Sequence, residues 1–203
     1  MYFNSYLFIF VFLPISYLVY FFFLRKRYVI FAKVWLVLAS LFFYSFWNLI
    51  YLPLLIFSII FNFYIVKGLC GNFRIPIKKI HLLAIGISVN LFFLGYFKYA
   101  DFFISNVNLS FGLNYSQLNL VLPLAISFFT FQQVAYLVDN YRQETREYDF
   151  LNYAIFVSFF PQLISGPIVH HKEMMPQFSC QRNMVVHYKN MVKGLTFFFL
   201  GLF

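Results

Sequence analysis

Gln132, Gln133, Tyr136 and Asp139 stand close together within LPLAISFFTFQQVAYLVDNYR (122–142), in a chain otherwise filled with apolar side chains. At 100° per residue on a helix, Gln132, Tyr136 and Asp139 fall within about 60° of one another, and Thr130 and Gln133 share an adjacent face. Amides and a carboxylate on one face of an apolar helix must meet protein or water rather than lipid. Two readings follow: a cavity wall that positions a polar ligand or a neighbouring segment, or hydrogen bonds between helices. A second polar stretch, SFFPQLISGPIVHHKEMMPQ (158–177), carries Pro161, Gln162, Gly166 and Pro167 and runs into His170 and His171. Imidazole can act as a general base near neutral pH. Adjacent histidines on a helix point about 100° apart and cannot easily share one ion. His170 meets only Glu173 at i, i+3, so no metal site is expected. Beside Lys172, at the end of an apolar segment, the pair reads as interfacial. No G-x-S-x-G, P-loop, G-x-G-x-x-G or H-E-x-x-H occurs.

The elements that hold these residues follow from composition. Of 203 residues, 63% are hydrophobic, 25% aromatic and only 10% charged, with a mean hydropathy of +0.78. That is the composition of an integral membrane protein, with no room for a soluble domain. Apolar runs at 3–24, 29–47, 49–66, 82–97, 120–138 and 153–169, and another from about 191 that is still apolar at Phe203, are too long and continuous for strands. The expected fold is an all-α polytopic membrane protein with six to seven membrane helices, residues 1–203 forming one transmembrane domain. The N-terminal run has no basic flank or small-residue cleavage site and reads as a retained first span. Asn48 and Pro53 mark a turn; Lys67, Gly68 and Gly71 mark a helix stop. VNLSFGLNY (107–115) alternates apolar and polar residues, which predicts a short strand or extended segment lying at the membrane interface. Its triplets at Asn108 and Asn114 match a glycosylation sequon and are expected to be unmodified. Cys70 and Cys180 match no zinc or redox spacing and read as free thiols.

A net charge of +9 would suggest nucleic acid in a soluble protein. Here the basic residues sit in clusters between apolar runs, so the partner they imply is the lipid bilayer and no nucleic acid. Ten of fifteen (Arg25, Lys26, Arg27, Lys33, Lys67, Arg74, Lys78, Lys79, Arg142, Arg146) lie in alternate loops, against only Lys98 on the other side. The positive-inside rule then places the N-terminus outside. Lys172, Arg182, Lys189 and Lys193 all follow the sixth run. A full crossing would put them outside, whereas a re-entrant excursion over 153–169 returns them to the cytoplasm. Its short length, together with Pro161 and the Gly166-Pro167 pair, favours re-entry. Those four cations would attract an anionic ligand or lipid headgroups.

The stretch 122–142 followed by FLNYAIFVSFFPQLISGPIVHHKEMMPQ (150–177) resembles the membrane-bound O-acyltransferase (MBOAT) family, in particular its bacterial alginate and peptidoglycan O-acetyltransferase branch. Segments 42–63 and 94–103 are also similar, so the resemblance covers nearly the whole chain. Ala125 takes a glycine position of the pattern, a change expected to matter little, and His170 stands where an Arg is common. The resemblance implies acyl transfer from a cytosolic thioester such as acyl-CoA, through a membrane-embedded tunnel, to a polysaccharide hydroxyl on the far side. It further implies an extracytoplasmic acetyltransferase partner, the bacterial inner membrane, and no bound cofactor. Gln132, Gln133, Tyr136, Asp139, Pro161, Gln162, Gly166, Pro167 and His170 become its candidate tunnel and motif residues. The family's catalytic histidine belongs to a later membrane segment, expected beyond Phe203, and none of His81, His170, His171 and His187 matches it. The expectation is therefore an N-terminal portion of such an enzyme, inactive alone. A transporter, a channel or a non-catalytic scaffold is the alternative.

Overall fold

The computed structural model describes residues 3–71, 77–144, 149–163, 166, 169 and 171–201. Among them every regular element is helical. Three helices are long and apolar enough to cross a membrane: Phe8–Arg25, Leu49–Leu69 and Lys79–Phe111. Val29–Ser45 is a shorter apolar helix.

The first of these opens with a π-helical turn, Phe8–Phe12, and continues as α1 (Leu13–Arg25), with Pro14 just past the junction of the two. α2 (Val29–Ser45) packs antiparallel to it. Asn48 caps the next turn by accepting from the Ile50 N–H (2.9 Å), and Pro53 lies in the first turn of α3 (Leu52–Leu69), so the predicted turn is present. Gly71 follows with a positive φ of 85°. α4 (Lys79–Phe111) packs against α3 and α5 (Ile126–Tyr141), and α3 also meets α5. Gly86 lets α4 come close: a Cβ there would stand 2.8 Å from Leu137 Cδ1, whose side chain is itself fully buried.

The alternating stretch at 107–115 is not a strand. α4 runs on through Val107–Phe111 and stops at Gly112, which adopts the left-handed conformation. The helix prevails because Asn108 satisfies the following loop with its side chain. Its amide donates to the Tyr115 carbonyl (2.8 Å) and accepts from the Tyr115 N–H (2.9 Å).

α6 (Phe150–Ser158) is nine residues long, and Tyr153 to Ser158 are all buried, between α2, α3 and α5. A helix apolar all round belongs in a core. It starts at Asp149, whose carboxylate accepts from the Leu151 N–H (3.0 Å), and at Asn152, which accepts from Lys33 Nζ (2.6 Å). The helix breaks at Phe159, and α7 (Phe160–Leu163) resumes with Pro161 in its first turn. The Phe160 N–H donates to Ser40 Oγ (3.2 Å), and its ring joins Phe8, Phe12, Ala39 and Phe43 in a second core. α8 (His171–Ser179) begins beside the end of α5, where Lys172 pairs with Glu144 at 3.1 Å. Cys70 and Asn140 place the ends of α3 and α5 at this same level. Asn152 thus meets the start of α2, and Lys172 meets the chain just after α5. A 3-10 turn (Gln181–Met184) leads to α9 (Tyr188–Leu200), whose Phe198 reaches Phe8. The last apolar run is described as far as Gly201, and Phe203 lies outside the described residues.

Candidate functional site

The polar face predicted on α5 is buried, and the contacts decide between its two readings. Gln133, with no exposed surface, accepts from Ser58 Oγ (3.1 Å) and from the Asn62 amide on α3. Asn62 and Asn90 exchange amide hydrogen bonds across α3 and α4, at 3.1 and 2.7 Å. Three helices are therefore clamped by amides. Gln132 donates through Nε2 to the Phe156 carbonyl of α6 (2.9 Å). Both glutamines bond between helices. One atom of each, Gln132 Oε1 and Gln133 Nε2, has no partner among the described residues.

Tyr136 stacks on Tyr153 at 4.7 Å between ring centroids, and its ring also meets His171 at 4.9 Å. Phe156 closes the other side of the imidazole at 5.0 Å. His171 is 5% exposed, so it is not the interfacial residue its sequence position suggests. α8 folds back onto the α5–α6 seam and takes its first side chain into the core. Burial holds the imidazole pKa down, to about 4, while the nearby charge of Asp139 pulls the other way. The ring is therefore neutral at pH 7, with Nε2 unpartnered among the described residues.

Open space lies elsewhere, along the inner face of α1. Three adjoining cavities of about 200, 300 and 350 Å³ run from an apolar end at Leu13, Leu36 and Phe160 to a polar end at His187 and Asn190. They are joined through shared walls, Tyr20, Phe159 and Phe178 for the first pair and Gln177 and Asn183 for the second. The middle cavity brings together Gln162 of α7 and Gln177 of α8, the glutamines of the two Pro-Gln pairs. Gly166 packs on the first of them: its N–H donates to the Gln162 carbonyl (2.9 Å), and a Cβ would stand 2.7 Å from Gln162 Cα. Gln177 donates to the Glu173 carbonyl (3.1 Å), and Asn183 donates to the Gln177 carbonyl (3.0 Å). A larger cavity of about 410 Å³ between α1 and α2 is lined by apolar side chains and Ser16, and offers nothing to chemistry.

The structure thus separates the predicted residues. Gln132, Gln133, Tyr136 and Asp139 belong to the packed interior, Gln162 lines the groove, and Pro161 shapes α7. Pro167 and His170 lie outside the described residues, as does Phe203. Asn62 and Asn90 were legible only as lone amides in apolar runs, itself a signal of protein contact. Asn183, His187 and Asn190 carried no periodic signal. No group of three His, Cys, Asp or Glu among the described residues could hold a metal ion.

A helical bundle with buried amides and a groove walled by two Pro-Gln motifs now meets comparison with known proteins. The profile of the membrane-bound O-acyltransferase family matches residues 78–203, and the chain belongs to that family. It is 47% identical to a peptidoglycan O-acetyltransferase of Helicobacter pylori, over 99% of this chain and 43% of that protein. It is 33% identical to a probable alginate O-acetylase AlgI of Pseudomonas aeruginosa, over 99% of this chain and 38% of the relative. A Pseudomonas putida protein of the same name is 35% identical over 88% of the chain and 37% of the relative. The chain spans less than half the length of these relatives. No solved structure matches it.

Proposed function

We propose that this chain works in O-acyl transfer at a bacterial cytoplasmic membrane, with its N-terminus outside and its basic loops in the cytoplasm. The donor is an acyl thioester, acetyl-CoA or an equivalent, and the final acceptor is a hydroxyl of a cell-wall or exopolysaccharide, reached with an extracytoplasmic acetyltransferase partner. The names of the relatives support the acetyl group and the polysaccharide class. Residues 153–169 then form a re-entrant segment entered from the cytoplasm.

The observation that carries this reading is the meeting of Gln162 and Gln177 on one cavity walled by Tyr20, Phe159, Phe178 and Asn183. Acyl transfer needs a base for the attacking hydroxyl and a passage that keeps water from the thioester. Gln162, Gln177 and Asn183 offer neutral donors and acceptors suited to a thioester arm, and Tyr20, Phe159 and Phe178 exclude water around it. His171 takes no part as base, because its ring is enclosed by Tyr136 and Phe156. Base chemistry is assigned to none of His81, His170, His171 and His187. The histidine that supplies it belongs to a membrane segment beyond Phe203, and the 203 residues alone are inactive.

The test is binding of radiolabelled acetyl-CoA to the chain in lipid nanodiscs. Saturable binding is expected, weakened about tenfold by Gln162→Ala or Gln177→Ala, the loss of one to two hydrogen bonds. Binding indifferent to both substitutions would refute the groove as donor site. In a complete family enzyme, the counterpart of His170→Ala is expected to weaken acetylation, and total loss would move that position into the chemistry.

A further inference from the structure

The end of α4 away from the basic loops runs on past the bundle. Burial within the bundle stops at Leu94, yet the helix continues for some four more turns to Phe111. The following loop, 112–124, folds back along those turns and is held by a polar stripe on α4. Asp101 accepts from the Leu118 and Asn119 N–H groups (2.7 and 3.0 Å), and Gln117 donates to Ser105 Oγ (2.9 Å). Asn108 makes its two-way pair with the Tyr115 backbone. These bonds tie loop and helix into one unit whose outer surface mixes Leu109 and Phe111, 86% and 74% exposed, Phe102, Phe103, Tyr115 and Val121 with the exposed amides of Asn106, Asn114 and Asn119. From Phe102 to Val138 the sequence has no Lys, Arg, His, Asp or Glu.

A water-facing loop of that length without one charge would present a large apolar patch to solvent. The headgroup layer is the surrounding that suits such a mixed surface, since it accepts aromatic and apolar side chains and still hydrogen-bonds exposed amides and loop backbone. Helix length agrees. At 1.5 Å per residue, the 33 residues of α4 reach about 50 Å, against a hydrocarbon core of about 30 Å and about 40–45 Å with headgroups. Upright, the helix would carry Leu109 and Phe111 clear of the bilayer; tilted by about 40°, it spans about 38 Å and stays within it. Tyr96, Tyr99 and Tyr115 supply the aromatic side chains that favour the headgroup layer.

We propose that the α4 end and the loop 112–124 form an interfacial anchor, seated as one unit in the lipid headgroup layer and setting the tilt of α4. This stands apart from the donor groove and does not depend on it. To test it, single cysteines replace Leu109 or Val121 in a Cys70→Ala/Cys180→Ala chain, which is spin-labelled and reconstituted in phosphatidylethanolamine–phosphatidylglycerol vesicles. Collision with oxygen is compared with collision with a water-soluble nickel chelate, with Phe57→Cys on α3 as a lipid-facing reference. At both labels nickel collision is expected to exceed that at the Phe57 site while oxygen keeps the lead. Nickel favoured at either site would mean projection into water, and low collision with both reagents would mean cover by a second copy; each overturns the proposal. Asp101→Ala, at unchanged helicity, is expected to raise nickel access at position 121 and leave position 109 as it was. No change at 121 would refute the two acting as one unit.

Discussion

The amide clamp of α3–α5 and the groove along α1 are made of the same residue types and do opposite things. In the clamp, Asn62 and Asn90 pair with each other and Gln133 bonds to α3, and the adjacent space by Ser58, Asn90 and Thr130 is a cavity of only about 10 Å³. In the groove, Gln162, Gln177 and Asn183 stand around a cavity of about 300 Å³. The difference lies in backbone regularity. Straight, closely packed helices bring amides to hydrogen-bond distance. Where the chain breaks at Phe159, space is left beside the amides, and Gln177 and Asn183 bond to nearby backbone carbonyls rather than to each other's side chains. Intramembrane amides therefore do not by themselves mark a ligand site; those carried by broken helices are the better candidates.

Four outcomes would break or sharpen that contrast. The largest concerns His171, the peg that fixes α8 and with it the Gln177 wall. Its folded pKa, about 4, lies below the unfolded value of about 6.5, so the unfolded chain binds more protons between those pH values. Stability is therefore full above pH 6.5 and falls by on the order of 3 kcal/mol as pH drops to 4, a loss that His171→Phe removes. Unfolding in detergent across that pH range measures it, and a wild-type slope identical to that of the variant would refute the buried neutral imidazole. Next, Asn62→Leu leaves Asn90 and Gln133 short of partners and should cost about 2 kcal/mol. Adding Asn90→Leu should restore part of that loss, since two apolar groups replace a broken pair; a double-mutant cycle reads the coupling. Gln162→Ala should leave unfolding nearly unchanged while cutting acetyl-CoA binding about tenfold, the reverse of the clamp's behaviour. Smallest, and of opposite sign, is Ala125→Gly. Ala125 caps α5 with φ at +57°, where glycine is free and alanine is strained, so the substitution should stabilise by roughly 1 kcal/mol. The glycine of the family pattern has this conformational meaning, and alanine there is not neutral.

Legibility in the sequence followed the scale of the interaction. The buried face of α5 could be read because a polar pattern at helical period in an apolar run has few ways to be satisfied. The break before Pro161 could be read for the same local reason. Asn62 and Asn90 could not be paired from sequence, since each is a single amide and their partnership depends on how Gly86 lets α4 approach α5. His171 looked interfacial because its neighbours are polar, yet the fold of α8 buries it. The alternation at 107–115 promised extended chain, and the helix prevailed where Asn108 could bond the loop.

Composition, hydrophobic runs and motifs by themselves determined that this protein is a helical membrane bundle, where its helices break, and which family it belongs to. These are local or additive properties: apolar length, proline geometry, motif spacing. Only the tertiary structure decided that the two Pro-Gln pairs share one cavity, that the α5 glutamines serve packing, and that Asp101 ties the loop after α4 back onto that helix. Each of those depends on which helices meet and at what depth, a long-range outcome of packing that no single stretch of chain encodes.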